Sequence, residues 1–295
     1  MAALTTGRTL AARSAEVGGV SIRRALPQRS VRTVGPWCFV DHMGPELITP
    51  TQGLDVGPHP HIGLHTATWL FEGAVVHTDS LGSDQLIRPG ELNLMTAGHG
   101  IVHAEQADRV RSQTLHGIQL WLAQPEETRT GLPAFTHHDD LPEVESGSGR
   151  ATAFLGAWGG VTSKISIEHP VVGVDITHAP GTSTWALEPR FEYAIYCAAG
   201  NVDINGSHID EGQLIAWSPG LEELHLHTNA HARLILLGGE PWEEPLFMWW
   251  NFVARSKAEV AAAITDWSDW AVQGEHERFA PLRSSLPAIP APPLV

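Results

Sequence analysis

Between about residue 20 and about residue 250 the chain is a series of short apolar runs, each closed by Gly, Pro, Asn or Asp. "WCFVDH", "HTATWLF", "LHGIQLWL", "YAIYCAA" and "ARLILLG" are rich in β-branched and aromatic residues and too short for ordinary helices. This pattern confines the fold to an all-β class built from many short strands. One segment departs from it. In "ARSKAEVAAAITDW", Ser256 and Glu259 have capping-box spacing, and Val260, Ile264 and Trp267 recur at i, i+4 and i+7. A single late helix packed on a sheet is predicted there. At 295 residues the chain can form two domains or one large β architecture with a full core.

An internal repeat favours two domains. Gly90 to Gly98, "GELNLMTAG", and Gly212 to Gly220, "GQLIAWSPG", share Gly, an acidic or amide residue, Leu, a later Thr or Ser, and a closing Gly. His103 and Glu105 follow Gly98 by five and seven residues, and His225 and His227 follow Gly220 at the same offsets. Two copies of one β-fold, a tandem β-barrel, are expected. They are joined by the polar stretch "PEETRTGLPAFTHHDDLPEVESGSGR".

The densest chemistry lies in "GPHPHIGLH", Gly57 to His65. His59 and His61 stand at i and i+2, which on a strand puts both imidazoles on one face about 7 Å apart along the backbone. His103 and Glu105 in "HAE" repeat that geometry on a second segment. Two neighbouring strands would then present three imidazoles and one carboxylate to a common centre. Nitrogen and oxygen donors without thiolate suit a borderline divalent ion such as Fe(II), Mn, Ni, Cu(II) or Zn. If the strand stays regular, His65 continues the same face as an acid/base group or extra ligand; the plainer role is a polar residue at the barrel mouth. His99 sits in a Gly-flanked turn at the entrance. His77 and His116 read as hydrogen-bonded structural residues, and His137 with His138 as a solvated feature between the copies.

These residues carry a resemblance. Gly53 followed by His59 and His61, the Pro89–Gly90 turn and a later His resemble the cupin pattern. More narrowly, "RRALPQRSVRTVGPWCFVDHMGP", "HPHIGLHTATWLFEG", "RPGELNLMTAGHGIVHAE" and "HGIQLWL" resemble the pirin family, and "GGEPWEEPLFMWWNFVARSKAEV" resembles its bacterial members. The resemblance implies an all-β bicupin, two tandem cupin β-barrels with a C-terminal helix. The expected division is an N-terminal cupin with the metal site over 1–135, a linker over 136–150, a C-terminal cupin with the late helix over 151–280, and a Pro-rich tail over 281–295. It further implies one divalent metal per chain, Fe(II) first, with Zn, Mn, Ni or Cu as alternatives, and ligands carried over to His59, His61, His103 and Glu105. Where the family often has Glu and Arg, this chain has His65 and His99. The second copy is expected to lack a metal, because its earlier strand around "STWALEPRFEY" has no H-x-H.

Composition narrows the partners. A formal net charge of -15 repels phosphate backbones and anionic surfaces, which argues against direct nucleic-acid binding. Cys38 and Cys197 are far apart and outside any C-x-x-C pattern, as expected of free buried thiols in a reducing compartment. The N-terminal stretch lacks an apolar signal core, no membrane span is visible, and a cytoplasmic protein is expected. The first dozen or so residues are expected to be loose, and the tail "SSLPAIPAPPLV" extended or disordered.

Pirin-like proteins include members with quercetin 2,3-dioxygenase activity, so the resemblance implies a flavonol-like substrate and O2, with Glu105 as the catalytic base. The alternatives are a metal-binding regulatory partner of the transcription-cofactor type, acting through protein contacts, or another cupin reaction on a small molecule.

Overall fold

The computed structural model describes residues 7–108 and 110–294. The short apolar runs become strands, 26 of them, beside one α-helix among the described residues. No helix there is long and apolar enough to cross a membrane. The chain divides into two compact units. Among the described residues, unit 1 holds 7–14, 23–42 and 140–242, and unit 2 holds 15–22, 43–108, 110–139 and 243–294.

In unit 1 a seven-stranded sheet runs Arg8–Ala11, Gln213–Trp217, Glu192–Ala199, Ala232–Gly239, Val171–His178, Gly149–Leu155, Glu143–Ser146. A four-stranded sheet runs Gly181–Ala186, Glu223–Thr228, Asn201–Ile204, Ser207–Asp210. Strict alternation tells each strand which face to bury: Glu223–Thr228 alternates exposed and buried residue by residue. Val174, Ile176, Ile195, Ile215 and Leu236 from the larger sheet meet Trp185, Ile204, Ile209, Leu224 and Leu226 from the smaller one in a continuous apolar core. Both cysteines, Cys38 and Cys197, are buried thiols that form no disulfide, as expected.

Unit 2 repeats this plan. Ala134–His138, Leu92–Thr96, Leu64–Glu72 and Gln113–Ala123 lie side by side in that order, followed by residues 43–48, 20–22 and 15–17. The smaller sheet runs Asp55–His61, Ile101–Ala107, Val75–Asp79, Asp84–Ile87. The order matches unit 1 strand for strand, so the repeat seen in the sequence marks equivalent places: Leu92–Thr96 with Gln213–Trp217, and Ile101–Ala107 with Glu223–Thr228.

Three local expectations change. Arg8–Ala11 is not loose: it pairs antiparallel with Gln213–Trp217 and covers what would be an open sheet edge. The stretch 136–150 is not a plain linker. Ala134–His138 pairs with Leu92–Thr96, Glu143–Ser146 pairs with Gly149–Leu155, and His137 Nδ1 lies 2.8 Å from Asn93 Oδ1. The helix falls in unit 2 rather than with residues 151–242.

That helix, α1 (Lys257–Gln273), begins at Ser256, whose side chain accepts from the Glu259 N–H, and ends at Gly274 in the left-handed region. Its buried residues Val260, Ala263, Trp267 and Trp270 pack with Ile62, Val102, Phe252 and Phe279. The Pro-rich tail is extended and docked: Ile289 N–H donates to Pro58 O, and Trp267 Nε1–H donates to Ile289 O, both at 2.9 Å. Gly57 is required by this docking, since a Cβ there would collide with Pro287 O.

Candidate metal centre

Asp55–His61 and Ile101–Ala107 pair antiparallel with His59 opposite His103 and His61 opposite Ile101. The register shifts between His103 and Glu105, so Glu105 comes opposite Val56. Period-two alternation and this pairing bring His59, His61 and His103 together, each buried, with one ring nitrogen from each within 4.8 Å of the others. The ring centroids are 4.2 Å apart for His59–His103, 5.0 Å for His61–His103 and 5.1 Å for His59–His61.

The ring protons can be placed from the partners. Gly57 O and Asn251 O can only accept, so His59 Nδ1–H and His61 Nδ1–H donate to them, each at 2.9 Å. Both Nε2 atoms therefore keep a lone pair. His103 Nε2 is buried and has no hydrogen-bond partner. A buried polar atom left this way is costly unless something else takes its lone pair. Burial holds His59 down to about 4 and pushes His61 and His103 well below the ordinary imidazole value, with the neighbouring histidines adding repulsion. The three rings are neutral near pH 7, which is the form that ligates a metal. A borderline divalent ion fits this donor set.

Glu105 is part-buried and joins a second group, with ligand atoms of His77, His103 and Glu105 within 4.8 Å of one another. His103 belongs to both groups, while Glu105 does not fall in the group with His59 and His61. Burial raises the Glu105 carboxyl above its ordinary value, against weaker lowering by His77 and by the Thr68 hydroxyl, which lies 3.4 Å from Oε1. Thr68 also bonds Gln119 Oε1 at 2.9 Å, and the Trp121 ring packs edge-on against His61 with centroids 5.1 Å apart.

His65 does not extend the His59–His61 face. Gly63 adopts a positive φ of 66° where a side chain would collide with Val253 O, and the chain breaks there before strand Leu64–Glu72. His65 instead bonds Thr96 Oγ1 through Nδ1 at 3.0 Å. His99 lies in its Gly-flanked turn, with Nδ1–H donating to Gly131 O at 3.0 Å, and borders a cleft shared with Arg129 and Arg278. His116 packs edge-on against Phe71.

Sequence reasoning missed Asn251, which reaches the centre from the C-terminal segment, and took His77 as merely structural. A signal for His77 existed: "HTD" places His77 and Asp79 at i and i+2 on strand Val75–Asp79, the same spacing as "HPH".

The counterpart in unit 1 is different. His225 lies opposite Thr184, and Glu223 opposite Ala186, where unit 2 has His59 and His61. His225 and His227 are exposed, with Leu224 and Leu226 turned inward. Both metal-capable groups among the described residues lie in unit 2.

Comparison with known proteins agrees with this plan. The pirin family model matches residues 19–122, and the pirin C-terminal cupin domain matches 173–272. A Pseudomonas aeruginosa protein whose name proposes a quercetin 2,3-dioxygenase is 42% identical over 95% of this chain and 89% of its own length. A pirin-like protein of Caulobacter vibrioides is 39% identical over 92% of this chain and 97% of its own. The crystal structure of a quercetin 2,3-dioxygenase from Acinetobacter baumannii superposes with a TM-score of 0.93 at 41% identity, covering 98% of this chain and 96% of that one. Two matched cupin domains and relatives of this identity and coverage leave one assignment: the chain belongs to the pirin family, as a bicupin.

Proposed function

We propose that the protein is a metal-dependent dioxygenase acting on a flavonol such as quercetin, with one divalent ion, Fe(II) first, held by His59, His61, His103 and Glu105. The single observation that carries the reading is the convergence of three neutral imidazoles, one with an orphaned Nε2, beside a carboxyl raised by burial. The names of the relatives at 41% and 42% identity supply the substrate class. Bound there, the ion acts as a Lewis acid that lowers the pKa of a flavonol hydroxyl.

The chain's own residues do the rest. Gly57 O and Asn251 O hold the His59 and His61 rings so that Nε2 faces the centre. Glu105 takes the hydroxyl proton on its carboxylate, a task helped by its raised proton affinity. The Thr68 hydroxyl steadies the oxygen that does so. Trp121 gives the centre an apolar wall against bulk water. Two buried thiols without a disulfide support a reducing compartment such as the cytoplasm.

The test is oxygen-electrode uptake by protein loaded with Fe(II), with quercetin and a panel of other flavonols near neutral pH. Uptake proportional to bound metal is expected. Absence of uptake by fully loaded protein across the panel would overturn the dioxygenase reading in favour of a regulatory partner or another cupin reaction.

A further inference from the structure

His103 differs from His59 and His61 in what lies behind it. Those two rings donate Nδ1–H to backbone carbonyls, whereas His103 Nδ1 lies 3.3 Å from another imidazole nitrogen, His77 Nδ1. An imidazole nitrogen can donate or accept, so this contact alone does not decide where the His103 proton sits. The other end of His77 decides it. His77 Nε2 lies 3.3 Å from Asp79 Oδ2, and a carboxylate can only accept. In the neutral ring Nε2 of His77 therefore carries the proton and its Nδ1 holds a lone pair, so that His103 donates from Nδ1. The remaining His103 Nε2 is the buried atom that has no partner.

The relay is held in place from several sides. Asp79 Oδ1 accepts from Leu81 N–H at 2.8 Å and Ser83 N–H at 3.0 Å, which closes the turn after strand Val75–Asp79 around the carboxylate. Burial works against the Asp79 charge, but the bonds from His77 and Ser83 outweigh it and keep the carboxyl below its ordinary value. His77 is stacked on Phe135 with centroids 4.5 Å apart and an interplanar angle of 13°, so the ring cannot tilt freely. Cross-strand register sets His103 directly opposite Asp79, and Glu105 opposite His77.

We infer that Asp79 and His77 form a positioning relay that fixes the His103 proton on Nδ1 and so keeps Nε2 open toward the centre. The role rests on the reading of His103 as a metal ligand, but the proton position is a property of the metal-free protein and can be measured without any ion. Neither residue touches substrate; both act through His103.

The test uses the full chain with histidine labelled in nitrogen-15. Long-range proton–nitrogen correlation on the metal-free wild type should show His103 protonated at Nδ1. In Asp79→Asn, the new amide can donate to His77 Nε2, which reverses the His77 proton to Nδ1 and forces the His103 proton onto Nε2. Zn(II) affinity, measured by chelator competition, should then fall about tenfold to a hundredfold with the fold retained. His77→Asn, whose side-chain oxygen can stand near the lost Nδ1, should restore the His103 proton to Nδ1 and most of the affinity that His77→Leu loses. A merely structural role would give all three variants the wild-type proton position. The relay is overturned if wild-type His103 carries its proton on Nε2, or if Asp79→Asn leaves both the proton position and the affinity unchanged. A wild type that binds no Zn(II) while His103 is protonated at Nδ1 upholds the relay and overturns the metal reading.

Discussion

In unit 2 the strand Ile101–Ala107 turns His103 inward, and in unit 1 the equivalent strand Glu223–Thr228 turns His225 outward. The two histidines have the same offset from matching turns, yet one lies at a buried polar centre and the other is exposed to solvent. The difference is one of strand face. With a period of two, whichever set of alternate residues is apolar takes the interior, and in unit 1 that set is Leu224 and Leu226. Trp185 fills the space beside them. Unit 1 is closed by ordinary apolar packing, while unit 2 keeps its apolar cluster around Ile22, Ile48, Leu70 and Leu115 and gives another part of its interior to His59, His61 and His103. Buried polar groups of this kind are tolerated where function needs them.

The largest expected contrast is catalytic. Glu105→Gln keeps the shape but removes the base, so O2 uptake with quercetin, corrected for bound metal, should fall about 100- to 10,000-fold. His227→Gln, at the matching offset in unit 1, should leave the rate unchanged. Equal rates per metal for wild type and Glu105→Gln would remove Glu105 as the base.

The units should also lose stability at opposite ends of the pH scale. Burial holds His59 at about 4 against an ordinary 6.5, so the unfolded chain binds the proton first. The contribution is present above pH 6.5 and is lost as pH falls toward 4, costing the metal-free protein up to about 3 kcal/mol from this residue. In unit 1, burial pushes Tyr193 up to about 12 from an ordinary 10, so its contribution is present below pH 10 and lost as pH rises toward 12. That loss is about 2–3 kcal/mol. Urea unfolding of metal-free wild type and His59→Phe across the acid range, and of wild type and Tyr193→Phe across the alkaline range, checks both slopes. An unchanged slope in either variant removes that residue from the account.

Smaller effects test how the C-terminal segment supports unit 2. Gly57→Ala should displace the tail at Pro287 and destabilise the protein by about 1–3 kcal/mol, a magnitude typical of overpacking, read as a lower melting temperature. A melting temperature equal to wild type would mean that the tail contact contributes little. Ser256→Ala, which removes only the α1 cap, should cost about 1 kcal/mol. Loss of several times that amount would show that Ser256 does more than cap the helix.

Legibility in the sequence followed the range of the interactions. Strand class came from short β-branched and aromatic runs closed by turn formers, the helix from its capping box and apolar spacing, and the two-copy plan from one repeat whose members occupy equivalent strands. The closeness of His59, His61 and His103 was readable because i and i+2 on a strand share a face and the two strands are neighbours, whereas the register shift after His103, which leaves Glu105 outside that group, was not. Local pattern did not reveal long-range pairing. Asn251 meets His61 across 190 residues of chain, and Arg8–Ala11 pairs with a strand about two hundred residues further on. The facing of His225 depended on which neighbours were apolar, a feature present in "LHLH" that the offset argument did not weigh. The break at Gly63, which takes His65 off the expected face, depended on the close approach of Val253.

The metal-to-chain ratio tests the contrast between the units most directly. Wild type purified without a metal-binding tag, reconstituted with Fe(II) and dialysed, should hold about one ion per chain by elemental analysis, and His59→Ala/His61→Ala/His103→Ala should hold almost none while remaining folded. A ratio near two in the wild type, or near one in the triple variant, would contradict the assignment of a single metal centre to unit 2.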